Sequence, residues 1–181
     1  MSPSLSEFTV LRQTIAVRGT VRMALLPVTV IGWTAITAAL LRGATIPALL
    51  SLVSLSVLIG GFEAIHALNV GVERIGRYLQ VYYEGQGDGP MWETTAMAVG
   101  PGLPGGGIDP LFTVVFAALT ALNLTLAFPE LHSTTEYVVV LPVHAIFLIR
   151  LIRARGAAAR QRAVDLETFR AVKSGQSQAR A

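Results

Sequence analysis

The sequence predicts an all-α fold: a four-helix transmembrane bundle with antiparallel neighbours, both termini cytoplasmic, and a long second helix extending past the inner membrane face. Three observations predict it. Four apolar stretches nearly free of charge approach the length of a membrane span. Thirteen of the 14 Lys and Arg fall on one side of the membrane that those stretches imply. The periodicity of the second stretch also continues beyond its apolar run.

Of the 181 residues, 52% are hydrophobic and 14% charged, against about 25% charged in soluble domains. Uncharged runs cover 23–41 and 44–62, 19 residues each, and 111–128, 18 residues. A hydrocarbon core of about 30 Å needs roughly 20. The fourth run, 137–149, has 13 residues and reaches spanning length only with Glu136 and Arg150 at its ends, where a long Arg side chain can snorkel to the headgroups. Arg12, Arg18 and Arg22 precede the first span, Arg74 and Arg77 follow the second, and eight basic residues from Arg150 onward follow the fourth. Only Arg42 would face out. The positive-inside rule thus supports a fourth crossing that hydropathy alone leaves open.

The pI near 9.8 accordingly points to anionic lipid headgroups at the inner leaflet and not to nucleic acid. Cysteine is absent, which removes disulfides and thiolate chemistry without indicating a redox compartment. No cleavable signal peptide is expected, since a polar segment of about 22 residues precedes a run too long for an h-region. Thirteen Arg to one Lys suggests a GC-rich bacterial genome, hence the bacterial inner membrane.

Residues 1–22 carry Leu5, Phe8, Leu11 and Ile15 at helical spacing, which predicts a short helix lying in the inner interface. The membrane domain is expected over 23–155. Its first span, about 23–41, includes Pro27 and Gly32, which membrane helices tolerate. A turn at 42–47 makes the second span, about 46–66, its antiparallel neighbour. Ile65, Leu68, Val72, Ile75, Leu79 and Tyr82 then repeat at spacings of three and four. The helix is therefore expected to continue to about residue 84, some 57 Å at 1.5 Å per residue. Its last third must project into the cytoplasm or bend along the interface.

A line of small residues, Ser56, Gly60, Ala64, Ala67 and Gly71, would admit another helix backbone. Thr113, Ala117, Ala121 and Thr125 form a matching line on the third span, which could pack against that of the second. Residues 85–109 hold eight Gly and three Pro and predict a cytoplasmic loop with at most a helical turn near 91–98. Asp109 and Pro110 make a good start for the third span, about 110–128. Ser133 and Glu136 have capping-box spacing and start the fourth, about 134–152. Residues 156–181 predict a basic cytoplasmic helix to about residue 172, then a disordered tail.

The candidate functional polar residues are Glu63, His66, Asn69, Glu73, Arg77 and His144. His144 lies well inside a span, where an ionisable group is either functional or hydrogen-bonded to a neighbouring helix. Glu63 and His66 have the Glu-x-x-His spacing of di-metal bundles. Only one such motif exists and no second carboxylate lies at similar depth, so no metal is expected. The alternative is a Glu63 ion pair with Arg22 or Arg150. A haem between His66 and His144 is excluded by depth, roughly 18 Å along the membrane normal. No cofactor is expected.

Arg74, Tyr78, Tyr82, Tyr83 and Glu84, with Glu73 and Arg77, form a polar and aromatic cluster. It suits either a solvated helix end at the headgroups or a docking surface for a partner. The glycines at 100–107 lack the strand and the Lys-Ser/Thr of a phosphate loop. No catalytic Ser-His-Asp or zinc pattern is present, so the reading leans away from an enzyme. The leading expectation is a non-catalytic accessory subunit or self-associating scaffold, bound to another membrane protein or to its own copies. The alternative is a small transporter or channel for protons, ions or a small solute, using Asn123, His144, Glu63 and His66. A lipid- or redox-active enzyme built on Glu63, His66, Glu73 and Arg77 is the third reading.

Overall fold

The computed structural model describes residues 5–43, 47–84, 91–99 and 110–178. The regular structure among the described residues is all helical, with five α-helices: α1 (Leu5–Leu40), α2 (Ser51–Tyr82), α3 (Trp92–Val99), α4 (Pro110–Ala127) and α5 (Thr134–Gln178). Short 3₁₀ turns occupy Leu41–Gly43, Ala48–Leu50 and Phe128–Glu130. Among the described residues, four segments are long and apolar enough to cross a membrane: Leu5–Leu40, Ala48–Tyr82, Leu111–Glu130 and Thr134–Ala154.

Local signals place the ends. The α5 start is a capping box: Ser133 N–H donates to Glu136 Oε2 at 2.8 Å, and Glu136 N–H donates to Ser133 Oγ at 3.3 Å, satisfying donors that a helix start otherwise leaves open. Pro110 occupies the first turn of α4, where its missing N–H removes no bond. The helical turn expected near 91–98 is α3, held at its start by a side-chain cap described below.

Two boundaries differ from the sequence reading. The expected interfacial helix over 1–22 is, in its described part, the beginning of one 36-residue helix that contains Pro27. No glycine or proline stands between Thr20 and Pro27, so nothing breaks the backbone ladder at the edge of the apolar run. Likewise α5 continues from the fourth span through 45 residues to Gln178, beyond the expected end near 172. Its Ala- and Arg-rich stretch is made of strong helix formers, and Gly156 alone does not interrupt it. The remaining loop residues 85–90 and 100–109, the turn residues 44–46, Asp109 of the expected helix start and the tail after 178 lie outside the described residues.

The chain divides into two compact units, one of Met1–Val21, Ala67–Asp109 and Arg155–Ala181, the other of Arg22–His66 and Pro110–Ala154. In the second unit all four long helices contribute to one core: Trp33 from α1, Leu55, Leu58, Phe62 and Ile65 from α2, Phe112 and Phe116 from α4, and Phe147, Leu151 and Ala154 from α5. The α2 contribution is spaced by three and four, one helix face. Phe62 sets the aromatic packing, with Phe116 and Phe147 each edge-on to it at 5.5 and 5.9 Å between centroids, a favoured arrangement.

That face is not the small-residue line. Ser56, Gly60 and Ala64 are exposed, as are Ala121 and Thr125 of α4, so the two lines do not use that option in this unit. The close approach on α2 is instead at Gly61, where an added Cβ would overlap the Thr29 side chain of α1, while a Cβ on Gly60 would meet nothing within 4 Å. Bulky Leu and Phe side chains bury more apolar area against α4 than glycine and serine can, which decides the rotation of α2.

In the first unit α1, α2, α3 and α5 are joined mainly through polar side chains. Gly71 makes room for Arg18, whose Nη1 lies 2.5 Å from where its Cβ would stand, and Gly76 does the same for Glu93.

Candidate functional site

Asn123 of α4 is the centre of the most completely bonded polar group in the second unit. Its Oδ1 accepts from Trp33 Nε1 at 3.2 Å and from Ser54 Oγ at 2.6 Å; its Nδ2 donates to the Ser51 carbonyl at 3.1 Å and to His144 Nε2 at 3.0 Å. An indole N–H only donates, so it fixes which amide atom is the oxygen. His144 Nδ1 then donates to the Val140 carbonyl at 2.8 Å, leaving Nε2 as the acceptor and the ring neutral. Asn123, His144, Ser51 and Ser54 have no exposed surface. One amide thus ties α1, α2, α4 and α5 together with all four of its bonds made. His144 is a bonded member of this knot, with both ring nitrogens engaged.

In the same unit Arg150 Nη2 donates to Glu63 Oε2 at 2.9 Å, the pairing the sequence offered as the alternative to a metal. The Arg150 guanidinium also sits 5.6 Å over the Phe62 ring, on which His66 stacks at 5.8 Å and 10°. Among the described residues no three of His, Cys, Asp and Glu gather as a metal site would require.

In the first unit the charges of α2 close against α5. Glu73 accepts from Asn69 Nδ2 at 3.0 Å and Arg77 Nη1 at 3.1 Å, and forms an ion pair with Arg162 Nη2 at 3.4 Å. Arg77, 3% exposed, reaches Asp165 with Nε and Nη2, both at 3.3 Å, and Arg74 lies 3.5 Å from the same carboxylate. Gln161 donates to the other Asp165 oxygen at 2.8 Å. Burial by itself would push the Asp165 carboxyl up; the Gln161 hydrogen bond and the Arg74 and Arg77 guanidiniums outweigh it and hold the group below the usual aspartate range.

The aromatic and acidic residues of the predicted cluster are internal contacts too. Tyr78 donates to Glu7 Oε1 at 2.9 Å, stacks on Tyr82 at 4.6 Å and meets Phe169 edge-on at 5.7 Å. Tyr83 packs against Phe8 at 5.4 Å. Buried Glu84 caps α3: Oε1 accepts from Glu93 N–H at 2.5 Å, and Oε2 from the N–H and hydroxyl of Thr94 at 2.7 and 2.6 Å, where a carboxylate also suits the positive end of a helix. Glu93 pairs with Arg12 at 2.9 Å. Burial nonetheless raises its carboxyl above the usual range, with Arg12 offsetting this only in part and Glu84 adding to it.

Arg77 and Glu84 are therefore buried bonding groups, where the sequence allowed a solvated end or a docking face. The sequence did not point to their partners, which are Asp165 for Arg77 and the backbone of Glu93 and Thr94 for Glu84. One signal was present, since Asp165 is one of only two acids after Arg150, and lies four residues beyond Gln161 on the same helix face. A scan of protein-family models, a search of curated proteins and a search of solved structures each find no match to this chain.

Proposed function

We propose that the protein is a non-catalytic membrane scaffold, an accessory subunit or a self-associating one, whose helices serve as packing surfaces for other membrane helices. In this reading the four spans are antiparallel neighbours in a bacterial inner membrane, with both termini on the cytoplasmic side, as the placement of 13 of the 14 basic residues argues. The observation that carries the reading is the closure of the polar groups on one another. Asn123 has every bond satisfied, Glu63 is paired with Arg150, and Glu73, Arg77 and Asp165 are matched by α5 or by their own helix. A transporter or an acid–base enzyme needs groups free to exchange partners with solute or substrate; groups bonded in this way rigidify and specify a packing.

The exposed Ser56 and Gly60 on α2 supply the surface, because small residues let a second helix approach closely in lipid. The test is purification in mild detergent with mass determination by light scattering. The expected result is an oligomer or a stoichiometric complex that Gly60→Leu disperses without loss of helicity, since a Cβ at Gly60 would meet nothing within 4 Å among the described residues. A monomer with no co-purifying protein would remove the reading.

A further inference from the structure

The first unit contains a cleft of about 480 Å³ lined by Gln80 and Val81 of α2, Thr94 of α3, and Arg170, Lys173 and Ser174 of α5. This is a volume suited to a small ligand. Five of the six lining side chains are polar, two are cations and none is acidic. Arg170, Lys173 and Ser174 stand at i, i+3 and i+4, so one face of α5 presents them together.

Their bonding states specify the chemistry of an occupant. Arg170 is exposed and makes no ion pair or hydrogen bond among the described residues, so its donors are open. Lys173 is aimed by a bond from Nζ to the Val81 carbonyl at 2.5 Å and sits 5.8 Å over the Tyr82 ring, so it brings its positive charge to the cleft wall. The hydroxyls are turned the other way. Ser174 spends its proton on the Ala171 carbonyl at 2.9 Å and Thr94 spends its own on Glu84 at 2.6 Å, which leaves both oxygens as acceptors.

We propose that this cleft binds a phosphate ester whose organic part carries hydroxyl groups, with Arg170 and Lys173 holding the phosphate and Thr94 and Ser174 accepting from the hydroxyls. Glycerol phosphate is the simplest such group, and it occurs both as a soluble metabolite and as the headgroup of phosphatidylglycerol. The site goes beyond the scaffold reading and does not rest on it.

The experiment uses the full chain in neutral detergent, titrated calorimetrically with glycerol 3-phosphate and with inorganic phosphate. In parallel, nanodiscs of phosphatidylcholine with and without phosphatidylglycerol are used, and lipid retention is read by native mass spectrometry. Binding of glycerol 3-phosphate identifies a soluble ligand, and retention of phosphatidylglycerol alone identifies a headgroup; either supports the site. Losing a charge-assisted hydrogen bond, Arg170→Ala is expected to weaken binding about tenfold or more, while Arg160→Ala, an exposed cation outside the cleft, leaves it unchanged. Ser174→Ala is expected to weaken glycerol 3-phosphate but not inorganic phosphate. No binding in either arm, or equal weakening by Arg160→Ala, would overturn the proposal; inorganic phosphate binding as tightly as glycerol 3-phosphate would overturn the assigned hydroxyl contacts.

Discussion

Replacing Asn123 with alanine takes away an acceptor from Trp33 Nε1 and Ser54 Oγ and a donor from Ser51 O and His144 Nε2 in one step. Side-chain hydrogen bonds between membrane helices average about 0.6 kcal/mol, so four of them predict a loss of about 2–3 kcal/mol. The side chain is also fully buried, and a void left at the centre of four helices adds to that loss. The assay is reversible unfolding in mixed micelles with increasing SDS, read by far-UV circular dichroism. Fluorescence supplies a second readout on a Trp92→Phe background, which leaves Trp33 as the one remaining indole of the two in the chain; without its acceptor, its emission should shift to the blue. A double-mutant cycle of Asn123→Ala with His144→Ala isolates their single bond and should return about 0.6 kcal/mol, with about 1.7 as the upper bound. An Asn123→Ala loss below about 0.5 kcal/mol with unshifted Trp33 emission would refute the claim that this amide holds the helices together.

Two further outcomes follow from the packing and the charges. Gly61→Ala places a methyl on the Thr29 side chain and should destabilise by about 1–3 kcal/mol, whereas Gly60→Ala in open space should be neutral or stabilise by up to about 1 kcal/mol through helix propensity; equal behaviour of the two in the same SDS titration would contradict the α1–α2 contact. The Asp165 carboxyl is held below its ordinary pKa, so its contribution is fully present above about pH 3.9 and is lost as pH falls through the depressed folded value. Asp165→Asn should therefore cost about 2 kcal/mol at pH 7, and the gap from the wild type should close on acidification below about pH 3.9. A gap that stays constant with pH in thermal melts would show that the carboxylate charge plays no part.

Legibility followed the range of the interaction. The helical turn at Trp92–Val99 and the Ser133–Glu136 box were readable because their signals lie within a few residues of one another. The Glu63–Arg150 pair was readable as one of two options, since few basic residues end neighbouring spans. The rotation of α2 was not, because small residues and bulky apolar ones both repeat at helical spacing along it. Only the competition for buried area places Leu55, Leu58 and Phe62 inward and Ser56 and Gly60 outward.

By itself the sequence determined an all-helical chain with four segments long and apolar enough to cross a membrane, since apolar length and the 3.6-residue period are properties of contiguous residues. Tertiary structure alone decided that Arg77 meets Asp165, 88 positions away, and that Asn123 collects Ser54 and Trp33 from 69 and 90 positions away. Periodicity shows which face of a helix a side chain occupies, but not which distant face it will meet. That is settled when polar groups shut away from water must each find the complementary donor or acceptor within reach.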